Sequence, residues 1–434
     1  MVLAWFLYGF MLSPGQVLAS PMSSHAAIPV EIVQVGDSYQ LLRDGKPYAI
    51  RGAGMDTNKV ALLAAQGGNS LRTWGSGVGE LSGKQLLDEA HRYGITVALC
   101  LDLARERHGF DYDDEAAVAR QFEYARQEVM KYKDHPALLF WIIGNELNHS
   151  YSNPRVFDAI NDISEMIHEL DGKHPTTTAF SGFSGDLIAT TEARAPDLDF
   201  LSFQLYGALD ELPEQLESIG YTRPFMVTEW GSTGHWEVST TDWGAPIEMN
   251  SSDKARHFLN RHQAVIATRP GQIIGSYVFL FGQKQERTPT WYGMLLEDGS
   301  RTESIDVMHY IWNGAWPENR APAVRGMLLD GRSAQQSAVL APGGQYDAAV
   351  DVEGAGELSY RWLVMRESDA TQQGGDAEEV PDVVPAGLED TEGSAVSMVA
   401  PMEPGAYRLF VYIHNDHGQA GHANIPFLVD NSLN

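Results

Sequence analysis

Two glutamates stand where long apolar runs give way to polar sequence, and their placement asks for a chemical reason. One closes the run Leu138-Leu139-Phe140-Trp141-Ile142-Ile143-Gly144-Asn145-Glu146. The other is Glu229, in Phe225-Met226-Val227-Thr228-Glu229-Trp230-Gly231. A charge at such a junction is costly to bury without partners. Two carboxyl groups on opposite sides of one cavity are the equipment for cleaving a glycosidic bond. The ionised one attacks the anomeric carbon, or flanks the water that does. The other keeps its proton through a raised pKa, gives it to the leaving oxygen, and later acts as base.

A pair so far apart in sequence needs a scaffold to bring it together. Between Ile50 and Gly282 the chain repeats an apolar run, a polar loop and an amphipathic segment. The runs are Ile50–Gly54, Ser70–Trp74, Thr96–Leu103, Ala137–Gly144, Pro175–Phe180, Asp199–Tyr206, Pro224–Thr228 and Ile274–Phe281. Their near-continuous hydrophobicity is what parallel strands buried on both faces require.

Caps and periods predict helices between them. Asn153-Pro154 opens one with Phe157, Ile160, Ile163, Ile167 and Leu170 at spacings of three and four, stopped by Asp171-Gly172. Ser251-Ser252-Asp253 opens another, and Asp113-Asp114-Glu115 sets negative charge at the positive end of a third. Eight such units over about 230 residues predict an α/β fold, a (β/α)8 TIM barrel, whose chemistry sits at the carboxyl ends of its strands. The glutamates fall at the ends of the fourth and seventh. The competing architecture, a doubly wound open sheet, normally shows a Gly-rich phosphate turn after its first strand; Arg51-Gly52-Ala53-Gly54-Met55-Asp56 is not one.

Ahead of the barrel, Val30–Val35 and Tyr39–Leu42 around Gly36-Asp37 read as a hairpin closing the barrel floor. Residues 28–320 are thus assigned to the barrel with its hairpin. Residues 321–434 are assigned to an immunoglobulin-like β-sandwich, with strands at Tyr346–Val352, Leu358–Met365 and Tyr407–His414 and Trp362 in its core. Within it, residues 370–393 are acidic and rich in Pro and Gly, which predicts a long exposed loop. The sandwich reads either as a brace or as a carbohydrate-binding unit. Residues 1–27 read as a signal peptide and leader: an apolar run, then Ser13-Pro14-Gly15 and a small-residue cleavage pattern before Ser20, without a basic leading segment. The expectation is a secreted or periplasmic protein; a packed apolar N-terminal segment is the alternative.

Composition narrows the partners. The 434 residues carry 30 Lys+Arg against 58 Asp+Glu, a net charge of −28. That disfavours nucleic acid and anionic membrane surfaces, whose phosphates call for basic clusters. The apolar N-terminal run is too short to span a bilayer comfortably, so stable membrane insertion is not expected. Cys100 is the one cysteine, and the 14 histidines show no metal-ligand spacing, so neither disulfide, metal nor cofactor is expected.

Gly144-Asn145-Glu146 and Thr228-Glu229-Trp230-Gly231, each at its proper strand, together resemble the retaining glycoside hydrolases of clan A, with families two and five nearest in pattern. The resemblance covers roughly residues 45–320. It implies that Glu146 is the acid/base, that Glu229 is the nucleophile, and that Asn145 binds the sugar 2-hydroxyl. By the same resemblance Arg72 is the arginine that keeps the nucleophile ionised, against a structural salt bridge as the plainer reading. Tyr206 is the tyrosine that hydrogen-bonds the nucleophile, against a rim aromatic.

Trp291 is a candidate sugar platform, since a sugar's C–H face packs on an aromatic ring. Trp236 and Trp243 are candidates to line further subsites, and Trp230 to pack behind them; plain loop packing competes for each. Lys284 belongs to the polar run Phe281–Thr288 and is a candidate for hydroxyl recognition or an internal ion-pair network. Glu106, Arg107 and His108 after the third strand either touch substrate or cap the barrel, and Asp102 is the rival carboxylate. The expectation is a retaining β-glycosidase that cleaves, or transfers from, a β-linked glucan or related oligosaccharide. The alternative is a non-catalytic carbohydrate-binding barrel used in polysaccharide assembly. A cleft open at both ends would make it endo-acting, a blocked one exo-acting.

Overall fold

The computed structural model describes residues 26–354, 356–372 and 374–433. The signal-peptide expectation falls almost wholly on residues outside these. Among the described residues, no helix is long and apolar enough to cross a membrane.

Eight parallel strands close into a barrel whose ring order follows chain order. They are Gly52–Gly54, Ser70–Arg72, Thr96–Leu101, Leu138–Asn145, Thr176–Ser181, Leu201–Gln204, Phe225–Gly231 and Ile273–Phe279. Each expected run supplies one. A helix follows every strand, as right-handed crossovers between parallel neighbours demand. The caps work as their residue types predict. Asp114 accepts from the backbone N–H groups of Ala116 and Ala117 at the start of Glu115–Tyr132. Asn250, one residue ahead of the expected serines, caps Ser251–Arg261. Strands three, four and seven are buried along their whole length, which accounts for their unbroken hydrophobicity.

The hairpin pairs Val30–Val35 with Ser38–Arg43 and lies under the barrel. Val30 and Leu41 pack with Ala98, Phe140, Met226 and Tyr277 from the barrel interior. Apolar side chains therefore plug the lower end, and the opposite mouth is left for chemistry.

The C-terminal region is a β-sandwich. One sheet has four strands, in the spatial order Ala323–Leu329, Gln345–Glu353, Ala395–Val399 and Gly387–Glu389. The other has five, in the order Val339–Leu340, Ala420–Val429, Gly405–His414, Ser359–Arg366 and Val383–Val384. Trp362, Val364, Val350 and Met398 lie in the core between them. The acidic stretch 370–393 is exposed or half-buried throughout its described residues, as expected of a loop. It contributes two short strands, and Gly374, Gly375, Asp376 and Ala377 reach the barrel mouth. There Asp376 and the carbonyls of Ala370, Gly374 and Gly375 find basic partners on the barrel.

Barrel and sandwich meet across a buried polar joint. Glu248 accepts from Thr288 (2.6 Å), Thr290 (2.8 Å) and Asn424 (2.7 Å), and pairs with Lys254, which also donates to the Thr290 carbonyl at 2.6 Å. Burial alone would raise the Glu248 pKa. The charges of Lys254 and His422 and the hydrogen bonds from Lys254 and Thr288 outweigh it and hold the carboxyl at about 2. Its stabilising contribution is therefore complete above the ordinary carboxylate range and is lost as pH falls towards 2. Removing one partner of a buried pair leaves an uncompensated charge. Lys254→Met is expected to destabilise the protein by about 3–5 kcal/mol, and the double variant Lys254→Met/Glu248→Met by clearly less. Calorimetric unfolding of the two checks this.

Candidate active site

Both glutamates reach the mouth through local irregularity at a strand end. In strand four the register against strand five shifts between Ile142 and Asn145. Glu146 follows directly, in the left-handed backbone region at φ 50°. Gly144 is left-handed too, and a Cβ there would lie 2.5 Å from the Leu147 side chain, so glycine spares that position strain and crowding. In strand seven the register shifts between Val227 and Glu229 on one side and between Val227 and Trp230 on the other. Such bulges re-aim side chains. Here they let Glu229, still inside the strand, point into the barrel mouth beside Glu146.

The Glu229 carboxylate is 5 % exposed and held from three sides. Arg72 Nη1 and Trp74 Nε1 donate to Oε1 at 2.8 and 2.7 Å, and the Tyr206 hydroxyl donates to Oε2 at 2.7 Å. Arg72 is fully buried, its guanidinium 4.8 Å from the Trp74 ring centre. Its Nη2 donates to Asn145 Oδ1 at 2.7 Å, and Gln204 Nε2 donates to the same oxygen at 2.6 Å. With Oδ1 so engaged, the Asn145 amide has its N–H groups left to offer a ligand. Burial and the nearby carboxylates keep the Tyr206 hydroxyl far above its usual pKa, so it remains a neutral donor.

Glu146 behaves differently. Burial first, then the negative charge of Glu229, push its pKa up to about 7, against the opposing pull of Arg107 and Arg72. One carboxyl of the cavity is thus held protonated up to near neutrality, as an acid/base role requires. Arg72→Lys is expected to lower turnover on the order of 10²–10³-fold, because an ammonium cannot hold Glu229 and Asn145 together. Steady-state kinetics with circular dichroism of the folded variant checks it.

The cavity, about 400 Å³, is lined by Glu146, Glu229, Asn145, Trp74, Tyr206, Trp236, Lys284 and others. A second of about 530 Å³ adjoins it, sharing Glu146, Tyr206, Trp236 and Gly374. Trp236 is 58 % exposed and meets Tyr206 edge-on, a platform with a free face. Glu237 fixes this corner by accepting from the backbone N–H groups of Gly207, Ala208 and Gly234.

Trp291 corrects an expectation. It is 1 % exposed, donates to the Thr233 carbonyl at 3.0 Å and packs with Phe279, Leu280 and Tyr292. It supports the cavity wall and offers no face to a sugar. Trp230 is buried as expected, and Trp243 lines neither cavity. Asp102 pairs loosely with Arg105 and stays outside, while Glu106 accepts from Ser152 and the backbone of Asn153. Trp74 and Asp56 were not anticipated. Trp74 lies two residues beyond Arg72, hence on the same face of the extending strand. Asp56 lines the cavity, and its Oδ1 is buried without a hydrogen-bond partner. Among the described residues no cluster could hold a metal ion.

Residues 79–242 match the family described as "Glycosyl hydrolases family 2, TIM barrel domain". The structure resembles β-glucuronidase structures: that of Bacteroides uniformis (15 % identity, TM-score 0.50, 92 % of this chain and 48 % of that one) and that of Dictyoglomus thermophilum (16 %, 0.51, 67 % and 54 %). A Bifidobacterium dentium β-glucuronidase complexed with coumarin-3-O-glucuronide is similar at 20 % identity and TM-score 0.51, covering 66 % of this chain and 49 % of that one. The matched stretch lies within the barrel, from just ahead of strand three to beyond strand seven. This chain spans about half the length of those proteins. Among curated protein sequences none matches it significantly. Similarity at this level of identity speaks to the fold.

Proposed function

We propose that this protein is a retaining β-glycosidase acting on neutral β-linked sugars, a β-glucan or a related oligosaccharide. The observation that carries the reading is the division of labour between the two carboxyls: Glu229 gripped by three donors, Glu146 kept protonated near neutrality across the same cavity. Glu229 attacks the anomeric carbon as the glycosidic C–O bond breaks, and Glu146 passes its proton to the leaving oxygen. Glu146, now a carboxylate, takes a proton from water as that water displaces Glu229. A second sugar in place of water gives transfer. Asn145 is placed to donate to a sugar hydroxyl as charge develops on the ring.

The lining argues for a neutral sugar. The three cations of the lining each have a protein partner: Lys284 donates to Glu286 at 2.7 Å and to the Gly375 carbonyl at 2.6 Å, Arg107 to Asp376 at 3.0 Å, and Arg105 to the Asn145 carbonyl at 3.1 Å. Asp56, Glu286 and Asp376 also line the cavity, so a sugar carboxylate would meet repulsion. The test offers 4-nitrophenyl β-D-glucoside, β-D-galactoside and β-D-glucuronide, together with laminarin, and follows the first-formed anomer by proton NMR. Turnover of a neutral glycoside with retained configuration supports the proposal. An inverted product, or no turnover of any of them, overturns it.

A further inference from the structure

We propose that the sandwich segment 370–372 and 374–378 is the wall that closes the sugar-binding side of the cavity, confining the enzyme to free chain ends. This rests on the glycosidase reading and adds to it a mode of action and a second domain in the site.

The segment leaves the sandwich after strand Ser359–Arg366 and is tied to two separate loops of the barrel. On the third-strand side, Arg107 Nη2 donates to the Gly374 carbonyl at 3.1 Å and to Asp376 at 3.0 Å, and His108 meets the other Asp376 oxygen at 2.9 Å. On the eighth-strand side, Lys284 donates to the Gly375 carbonyl, the Arg287 backbone N–H donates to Glu378 at 2.8 Å, and the Arg287 side chain donates to the Ala370 carbonyl. Strands three and eight are three steps apart in a ring of eight. A segment fastened to both therefore crosses the mouth.

The fit is close. Gly374 and Gly375 are both left-handed, at φ 60° and 72°. A Cβ on Gly374 would lie 3.0 Å from Arg107 and from His149, and one on Gly375 would lie 3.0 Å from Lys284. On the barrel side of the seam Arg107 is 9 % exposed, Lys284 19 % and Glu286 8 %, while Asp376 and His108, at 31 % and 44 %, lie at its rim. Charge-assisted bonds in such surroundings hold geometry well.

The two cavities give the wall its direction. Glu229 borders the first alone, while Glu146 borders both. The first is therefore the seat of the sugar attacked, and the second receives the leaving group that Glu146 protonates. Gly375, Asp376 and Ala377 line only the first, while Thr371 and Gln372 line only the second. A chain continuing beyond the attacked sugar would run into the Gly375–Ala377 stretch.

The experiment compares 4-nitrophenyl β-glycosides of the accepted sugar, free or blocked by a 4,6-O-benzylidene group. The wild type is expected to prefer the free form by at least about 100-fold in kcat/KM. Replacing residues 371–378 by a four-residue Gly-Ser linker is expected to bring the ratio below about tenfold. Asp376→Ala, a milder change, is expected to move it the same way. Equal use of both forms by the wild type overturns the wall while leaving the glycosidase reading intact. So does an undiminished preference in Asp376→Ala together with the linker variant, or in Asp376→Ala alone should the linker variant fail to fold. A wild type inactive on every free glycoside overturns the glycosidase reading and this inference with it.

Discussion

Glu229→Ala is expected to lose turnover of an aryl β-glycoside by on the order of 10⁴–10⁶-fold. The argument rests on how much of the site exists to hold this one carboxylate. A buried arginine, an indole N–H and a phenol all converge on it, and a bulge in strand seven aims it. On the proposed mechanism the side chain forms the covalent bond to sugar, so no neighbour can replace it. Removing it leaves a small void beside Arg72, and sodium azide is expected to fill that void, attack the anomeric carbon in its place and displace the aryl leaving group, converting the β-glycoside substrate to an α-glycosyl azide. Residual activity near the wild-type level, or rescue that yields the β-azide, would sink the assignment.

Glu146→Ala should separate substrates by their leaving groups. A good leaving group such as dinitrophenolate needs no proton and should lose little in the first step. A sugar or alkyl leaving group should lose on the order of 10²–10⁴-fold. In the wild type, kcat/KM is expected to fall as pH rises through about 7, because the carboxyl that must donate then ionises. That limb should vanish in Glu146→Gln. The same shift carries a stability consequence of opposite sign to that of Glu248. A carboxyl raised from its ordinary value to about 7 opposes folding whenever it is forced to ionise, by about 3 kcal/mol at high pH. Glu146→Gln should therefore unfold at a higher temperature than the wild type at pH 8, with the gap closing below about pH 4.5.

The barrel was legible because its longest buried strands, Thr96–Leu101 and Leu138–Asn145, are written as nearly unbroken apolar runs and the shorter ones recur at the same spacing. The glutamates stood out because they end such runs. Register was not legible: nothing local says that Glu229 lies within strand seven on a bulge. Trp74 could have been found by its two-residue spacing from Arg72. Trp291 was misjudged because a loop tryptophan reads alike whether it faces sugar or a wall. The docking of Asp376 on Arg107 joins residues 269 apart in sequence, which no local pattern reveals. Strand Ala420–Val429 escaped notice for a physical reason. Most of it is buried on both faces, between the sandwich core and the barrel, so its sequence does not alternate. It also contains Pro426, tolerated where the short neighbouring strand reaches only Leu428 and Val429.

The joint at Glu248 bears on how this architecture could be rebuilt. Asn424, which bonds Glu248, and His422, whose backbone N–H donates to Ser251 at 3.0 Å, both sit on that last long strand. A chimera that swapped in a foreign sandwich after Pro317 would strand an acid and a helix start inside the seam. The two halves are therefore poor cassettes for recombination, and functional hybrids should require the crossover to carry the loops around Glu248 and Thr288 along with the incoming module.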